Sequence, residues 1–168
     1  MDAYLAVVSR REVREYAARP LEPEVEHQIL EAGRLAGSAK NRQPWTFLVV
    51  RGDAAVESVA ESVFEPTNIR GAAFVVAVQM AGGAGIDGGR AVQNMLLAAH
   101  ALGVGSCPNG ISDRSRLNLA LGLDDEATVA AVLSFGYPAT ARDPARRSAE
   151  EWIARANRKP FDEVVREV

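Results

Sequence analysis

Helices and short apolar strands alternate along this 168-residue chain, which predicts one layered domain, residues 1–168, of the α/β or α+β class. Three observations carry that prediction. Segments 46–50 (TFLVV), 72–79 (AAFVVAVQ) and 128–137 (TVAAVLSFGY) are short, apolar and rich in β-branched or aromatic residues, as strands are when both faces are covered. Segments 22–35 and 90–102 instead space their apolar residues for one face of a helix. The composition, 48% hydrophobic against 24% charged, supplies enough apolar side chains for a core and argues against disorder.

Taken in order, Tyr4, Leu5, Val7, Val8 and Val13 can form one face of a first helix over residues 2–8, with a break near Ser9. Arg10, Arg11 and Arg14 then crowd five positions. In 22–35, Val25, Ile29, Leu30, Gly33 and Ala36 form the stripe, and Gly37 closes the helix. The 46–50 strand follows, then a turn at Gly52-Asp53. Residues 54–64 read as a modest amphipathic helix stopped by Pro66, and 72–79 as a second strand. MAGGAGIDGGR reads as a glycine-rich connection. The 90–102 helix is apolar on most sides, so it must be buried in a core or against a second subunit. Asp113 is positioned to cap a short helix over 114–121. The third strand ends at Gly136-Tyr137-Pro138, and a polar stretch leads into the tail WIARANRKPFDEVVREV.

Several classes of function are excluded early. A net charge of −3 gives no global pull toward nucleic acid or an anionic membrane. No run reaches the roughly 18 apolar residues that a membrane span needs. Cys107 is the only cysteine, so no intramolecular disulfide can form. The N-terminus places a short apolar run ahead of charges, the reverse of a signal peptide. These points set the expectation of a cytoplasmic protein. His27 and His100 lack metal-ligand spacing, and no metal site is expected.

Four constellations remain. Arg10 and Arg14, four apart, would point the same way on a helix and could embrace a phosphate or the edge of a planar ring; a solvated face paired with Glu12 and Glu15 is the other reading. Ser38 and Asn41, just before the Pro44-Trp45 entry to a strand, could bond a ligand or simply cap and turn the chain. Arg158-Lys159 is a second basic pair. GGAGIDGGR is not a dinucleotide-binding G-x-G-x-x-G.

In combination these pieces become specific. The order SRREVREY, SAKNRQPWTFLVV, GRAVQNMLLAAHALGVGS, FGYP and NRKPFDEVV resembles the flavin-dependent nitroreductase family over most of the chain, with S-x-x-N-x-Q-P-W the most specific string. The resemblance implies an α+β, three-layer sandwich, with a mixed, mainly antiparallel sheet covered by helices. It implies a homodimer with exchanged tails and two FMN molecules at the subunit interface. Arg10 and Arg11 would hold the FMN phosphate and ribityl chain, with Arg158 returning to the phosphate. Arg14 would stand at the pyrimidine edge as a flavin-tuning cation. Ser38, Ala39 and Asn41 would face the flavin of the partner subunit, and the backbone at Gly110 would run close to N5. The 90–102 helix would be the central dimer contact.

The implied activity is a ping-pong one. NADH or NADPH gives hydride to flavin N5 and leaves, then an electron-poor small molecule such as a nitroaromatic or quinone enters. Arginines supply permanently charged, bidentate partners for a phosphate, and a cation near N1 and O2 stabilises reduced flavin. No side-chain acid–base pair is needed, so no catalytic residue is assigned beyond the cofactor. A flavin-binding or storage protein with little turnover, and an enzyme using the same fold for dehalogenation or flavin destruction, are the rival readings. Arg42 and Arg70 are cations that the extra phosphate of NADPH could use. Three departures stand out: Glu12 where members often have Ser, Gly37 where they often have Pro, and a short connection before the 90–102 helix. The last implies an open site with 64–70 or the glycine-rich loop as its only lid.

Overall fold

A computed structural model describes residues 1–82 and 85–168. In chain order the elements are α1 (Ala3–Ser9), α2 (Pro23–Arg34), β1 (Trp45–Val50), α3 (Asp53–Ala60), α4 (Pro66–Arg70), β2 (Phe74–Met80), α5 (Gly85–Ala101), β3 (Gly105–Asn109), α6 (Arg114–Ala120), β4 (Thr128–Gly136), α7 (Ala149–Ala154) and α8 (Phe161–Val164). Short 3-10 turns lie at Ala39–Asn41 and Pro144–Arg146. The chain forms two compact units, residues 12–142 and residues 1–11 with 143–168.

The larger unit is built on a four-stranded sheet of order β1-β2-β4-β3, antiparallel at every pairing. Strand β2 is central and apolar on both faces, and its alternation sorts the two cores. Phe74, Val76, Val78 and Met80 face α2 and α5, packing with Ile29, Met95, Leu96 and Ala99. Val75 and Ala77 face α3, α4 and α6, packing with Val59, Ile69 and Leu117. The result is the expected three layers. Each fully buried Val, Leu, Ile or Phe contributes roughly 1.5–3 kcal/mol of transfer free energy. Two glycines permit the close packing on the α2/α5 side. A Cβ on Gly33 would stand 2.8 Å from Met95 and Phe47, and one on Gly88 would stand 3.0 Å from the Met80 sulfur.

The strands expected at 46–50, 72–79 and 128–137 are β1, β2 and β4, and Asp113 caps α6 by accepting the Arg116 N–H at 3.0 Å. Other expectations are corrected. Arg10 to Glu15 is not helical. Arg10 leaves α1 in an extended conformation (φ −59°, ψ 134°), and the Val13 N–H donates to the Ser106 carbonyl, so the i, i+4 argument for Arg10 and Arg14 does not hold. Tyr4 and Val7 are exposed within α1, and Val13 is buried outside any helix. The glycine-rich stretch is not a loop throughout. Gly83 and Ala84 lie outside the described residues, but α5 already runs from Gly85. The strand β3 was not expected at all. Nor was α4, and with Ile69 fully buried and Asn68 nearly so, 66–70 is anchored rather than a lid. Among the described residues the sheet has no parallel strand.

The smaller unit pairs α1 with α7. Asp2 caps α1 through the Leu5 N–H at 2.9 Å. Ser148 and Glu151 form a reciprocal capping box at the start of α7, satisfying two otherwise orphan N–H groups. Trp152 on α7 donates its indole N–H to the Pro144 carbonyl at 2.9 Å.

Candidate functional site

The 38–43 segment departs furthest from ordinary backbone geometry. Lys40, Asn41 and Gln43 all have left-handed backbones, with φ of 52°, 53° and 50°. Side-chain-bearing residues in that region cost on the order of 1 kcal/mol each, and Gln43 precedes a proline, which restricts it further. Little inside the protein accounts for this. The Ser38 Oγ accepts the Gln43 N–H at 2.9 Å, which closes the turn. The Ala39 N–H donates to Asp87 Oδ2 at 3.1 Å, and the Arg90 guanidinium covers Gly37, 2.2 Å from where a Cβ would stand. Ala39, Lys40, Asn41 and Gln43 remain exposed. Strain held on exposed polar residues marks a segment shaped for something outside it.

Gly110 lies at the end of β3 and is exposed. Its carbonyl accepts the Phe64 N–H at 3.0 Å, and the Phe64 ring lies 3.1 Å from where a Gly110 Cβ would be. Phe64 is 71% exposed although its backbone is pinned, because Val63 bridges Ile111 and the Ser62 carbonyl accepts from Ser112. Of the segment expected to be a lid, Phe64 is the exposed apolar side chain, beside exposed Glu65, Thr67 and Arg70. Beneath Gly110 lies a closed polar network. Asn109 Nδ2 donates to the Cys107 and Val132 carbonyls and to Ser134 Oγ at 3.0–3.2 Å, and its Oδ1 accepts from Asn68 at 3.1 Å. The Tyr16 hydroxyl lies 2.9 Å from Ser134 Oγ and 2.7 Å from the Val13 carbonyl. Burial pushes the Tyr16 phenol well above its ordinary pKa. Gly136 makes room for that ring, since a Cβ there would stand 2.8 Å from it.

The sheet fixes how these parts are arranged. The 38–43 turn feeds β1 at one edge, and Gly110 leaves β3 at the opposite edge. Because neighbouring strands are antiparallel, both lie toward the same end of the sheet. Three strand spacings, about 14 Å, separate the two edges.

Arg14 is exposed and lines a pocket of about 330 Å³ with Glu12, Glu15, Thr140 and Arg142. Arg70 is bidentate to Glu57, at 2.8 and 2.5 Å, and so is already engaged; Arg42 is exposed.

In the smaller unit, Arg11 donates to the Val8 and Arg10 carbonyls at 2.8 Å and to the Trp152 carbonyl at 3.1 Å, with its guanidinium 5.6 Å from the centre of the Trp152 ring. Arg147 lies 5.0 Å from the same ring. Burial lowers the Arg11 pKa, and so does the nearby charge of Arg158. Arg11 and Arg158 are thus brought close enough to repel, an arrangement suited to an anion. Arg10 is half-buried beside Arg11, and Arg158 is exposed with one donor on the Ala156 carbonyl.

Asp87 and Arg90 were not singled out from the sequence. They sit in a stretch whose glycines read as a flexible connection, so nothing in the pattern tied them to the 38–43 turn.

Comparison with known proteins agrees with this architecture. The description of the Nitroreductase family matches residues 7–83 and 68–137. A protein of Archaeoglobus fulgidus named as an NADH dehydrogenase/NAD(P)H nitroreductase is 30% identical over 167 residues, spanning 87% of this chain and 96% of that protein. An NADH dehydrogenase of Thermus thermophilus is 28% identical over 188 residues, spanning 88% and 92%. A nitroreductase from Desulfovibrio desulfuricans, solved in complex with FMN, superposes with a TM-score of 0.83 at 31% identity, covering 100% of this chain and 98% of its own. The chain belongs to the nitroreductase family.

Proposed function

We propose that this protein is an FMN-dependent NAD(P)H oxidoreductase acting as a homodimer on small electron-poor acceptors such as nitroaromatics or quinones. The observation that carries the reading is the strained, exposed 38–43 turn in a chain of this family. FMN, when bound, supplies hydride transfer at N5, from NADH or NADPH to the acceptor. The chain's own residues bind and orient. Arg10, Arg11 and Arg158 provide the cationic ground for a phosphate, and the mutual repulsion of Arg11 and Arg158 is relieved by an anion. Arg14 provides a permanent cation for the pyrimidine edge. Ser38 and Asn41 present polar side chains, and Ala39 its exposed surface, to a ring held by the partner chain. Gly110, without a side chain, leaves its backbone open to close approach.

Two observations support the homodimer. The turn and Gly110 belong to opposite sheet edges, which suits a ring shared between chains. Helix α5 buries Ala91, Met95, Leu96 and Ala99 but leaves Leu97 and Ala98 half-exposed, apolar positions suited to a second copy. The match along the whole Desulfovibrio chain supports reading residues 1–168 as one domain. No described helix is long and apolar enough to cross a membrane.

The test is a visible spectrum of the purified protein with added FMN, followed by anaerobic NADH and then NADPH. Bleaching of the flavin band is expected and identifies the donor. A protein that binds no FMN overturns the reading. A bound flavin that stays yellow with both donors makes it a binding protein instead.

A further inference from the structure

We infer that Asp87 and Arg90, on the first turns of α5, form a latch that holds the 38–43 turn in the backbone conformation flavin binding requires; this rests on the FMN reading above. Three contacts build the latch. Asp87 Oδ2 accepts the Ala39 N–H at 3.1 Å. The Arg90 guanidinium lies over Gly37, where a Cβ would stand 2.2 Å from its nearest nitrogen. Asp87 and Arg90 are themselves 3.9 Å apart, with Asp87 largely shielded (17% side-chain exposure).

The energetics explain why a latch is needed. Three left-handed residues with side chains disfavour the turn by a few kcal/mol in sum. The Ser38 bond to Gln43 is local and does not tie the turn to the body of the protein. The Asp87 bond instead ties the turn to a helix 48 residues away that is anchored in the core through Met95 and Ala99. A charged acceptor makes it the stronger kind of hydrogen bond. Gly37 is the enabling position. A side chain there would displace the Arg90 guanidinium, so the glycine and Arg90 form one arrangement. The contacts of Asp87 and Arg90 are to the turn, so their role is one of positioning residues.

The test compares wild type, Asp87→Ala, Asp87→Asn and Arg90→Ala. Amide hydrogen exchange in residues 38–43 is measured on the flavin-free protein, and the FMN dissociation constant is measured by quenching of flavin fluorescence. Asp87→Ala is expected to speed exchange at Ala39 and its neighbours and to weaken FMN about tenfold. Asp87→Asn keeps an acceptor oxygen and is expected to restore both. Arg90→Ala is expected to show the same direction with a smaller effect. Unchanged exchange in Asp87→Ala overturns the latch. Faster exchange with unchanged FMN affinity overturns its role in binding. If Asp87→Ala does not fold, Arg90→Ala decides by the same two readouts. Should wild type bind no FMN, the FMN reading fails, while the exchange data still judge the latch.

Discussion

Two polar regions of the larger unit are built on opposite terms. Around Asn109 every polar atom has a partner inside the protein. Asn68, Asn109 and Ser134 are buried, and the half-buried Tyr16 closes the set. In the 38–43 turn Lys40, Asn41, Arg42 and Gln43 are exposed and the backbone is strained. The first region spends its hydrogen bonds on itself and fixes the end of β3. The second leaves most of its side chains at the surface, and its backbone cost is offset by only a few contacts to Asp87, Arg90 and Ser38. A self-satisfied network is architecture, whereas an unsatisfied, strained one points to a ligand.

The largest effect that could break this contrast lies in the closed network. Asn109→Ala removes the donor to two carbonyls and a hydroxyl and orphans the Asn68 amide, so it should cost about 3 kcal/mol in urea unfolding. A cost below about 1 kcal/mol would show that the network is not structural. Asn41→Gly should do the reverse, since glycine accepts the left-handed backbone freely. Stability should stay within about 0.5 kcal/mol of wild type while FMN affinity falls about tenfold. Equal FMN affinity would remove the Asn41 side chain from the site. Lys40→Gly should raise stability by up to about 1 kcal/mol by relieving strain, a sign opposite to that at Asn109. The smallest effect concerns pH. The folded Tyr16 phenol keeps its proton above the ordinary tyrosine pKa of about 10, where an unfolded chain releases it. Its contribution is therefore complete below about pH 10 and declines above it. Unfolding of wild type and Tyr16→Phe at pH 8 and pH 11 should show the two converging at the higher value.

Much of this contrast was legible beforehand on one side only. The apolar runs and the S-x-x-N-x-Q-P-W string located β1, β2, β4 and the turn, because continuous burial and a proline at a strand entry both leave local marks. β3 (GSCPN) left none. It is short, begins with a glycine that makes room for Val13, and contains Pro108, which an edge strand tolerates because one row of its amides is unpaired. The start of α5 was hidden for a related reason. Gly88 serves the close approach of Met80, and a packing glycine cannot be told from a flexible one by sequence. The arginine cluster and the helix break near Ser9 are legible, but the extended path of 10–15 is not. The helix ends at Ser9, and Val13 then bonds to Ser106, a partner 93 positions away that no local pattern reveals.

The placement of the two tryptophans has a practical consequence. The chain has only Trp45, at the start of β1 just beyond the strained turn, and Trp152, between the Arg11 and Arg147 guanidiniums. Each unit therefore carries a single tryptophan, which excitation at the red edge of the absorption band selects over the tyrosines. Trp45→Phe leaves emission that reports on the smaller unit alone, and Trp152→Phe leaves emission that reports on the larger. Two optical melting curves from these variants would reveal whether the units come apart in one cooperative event or in two, with no label added.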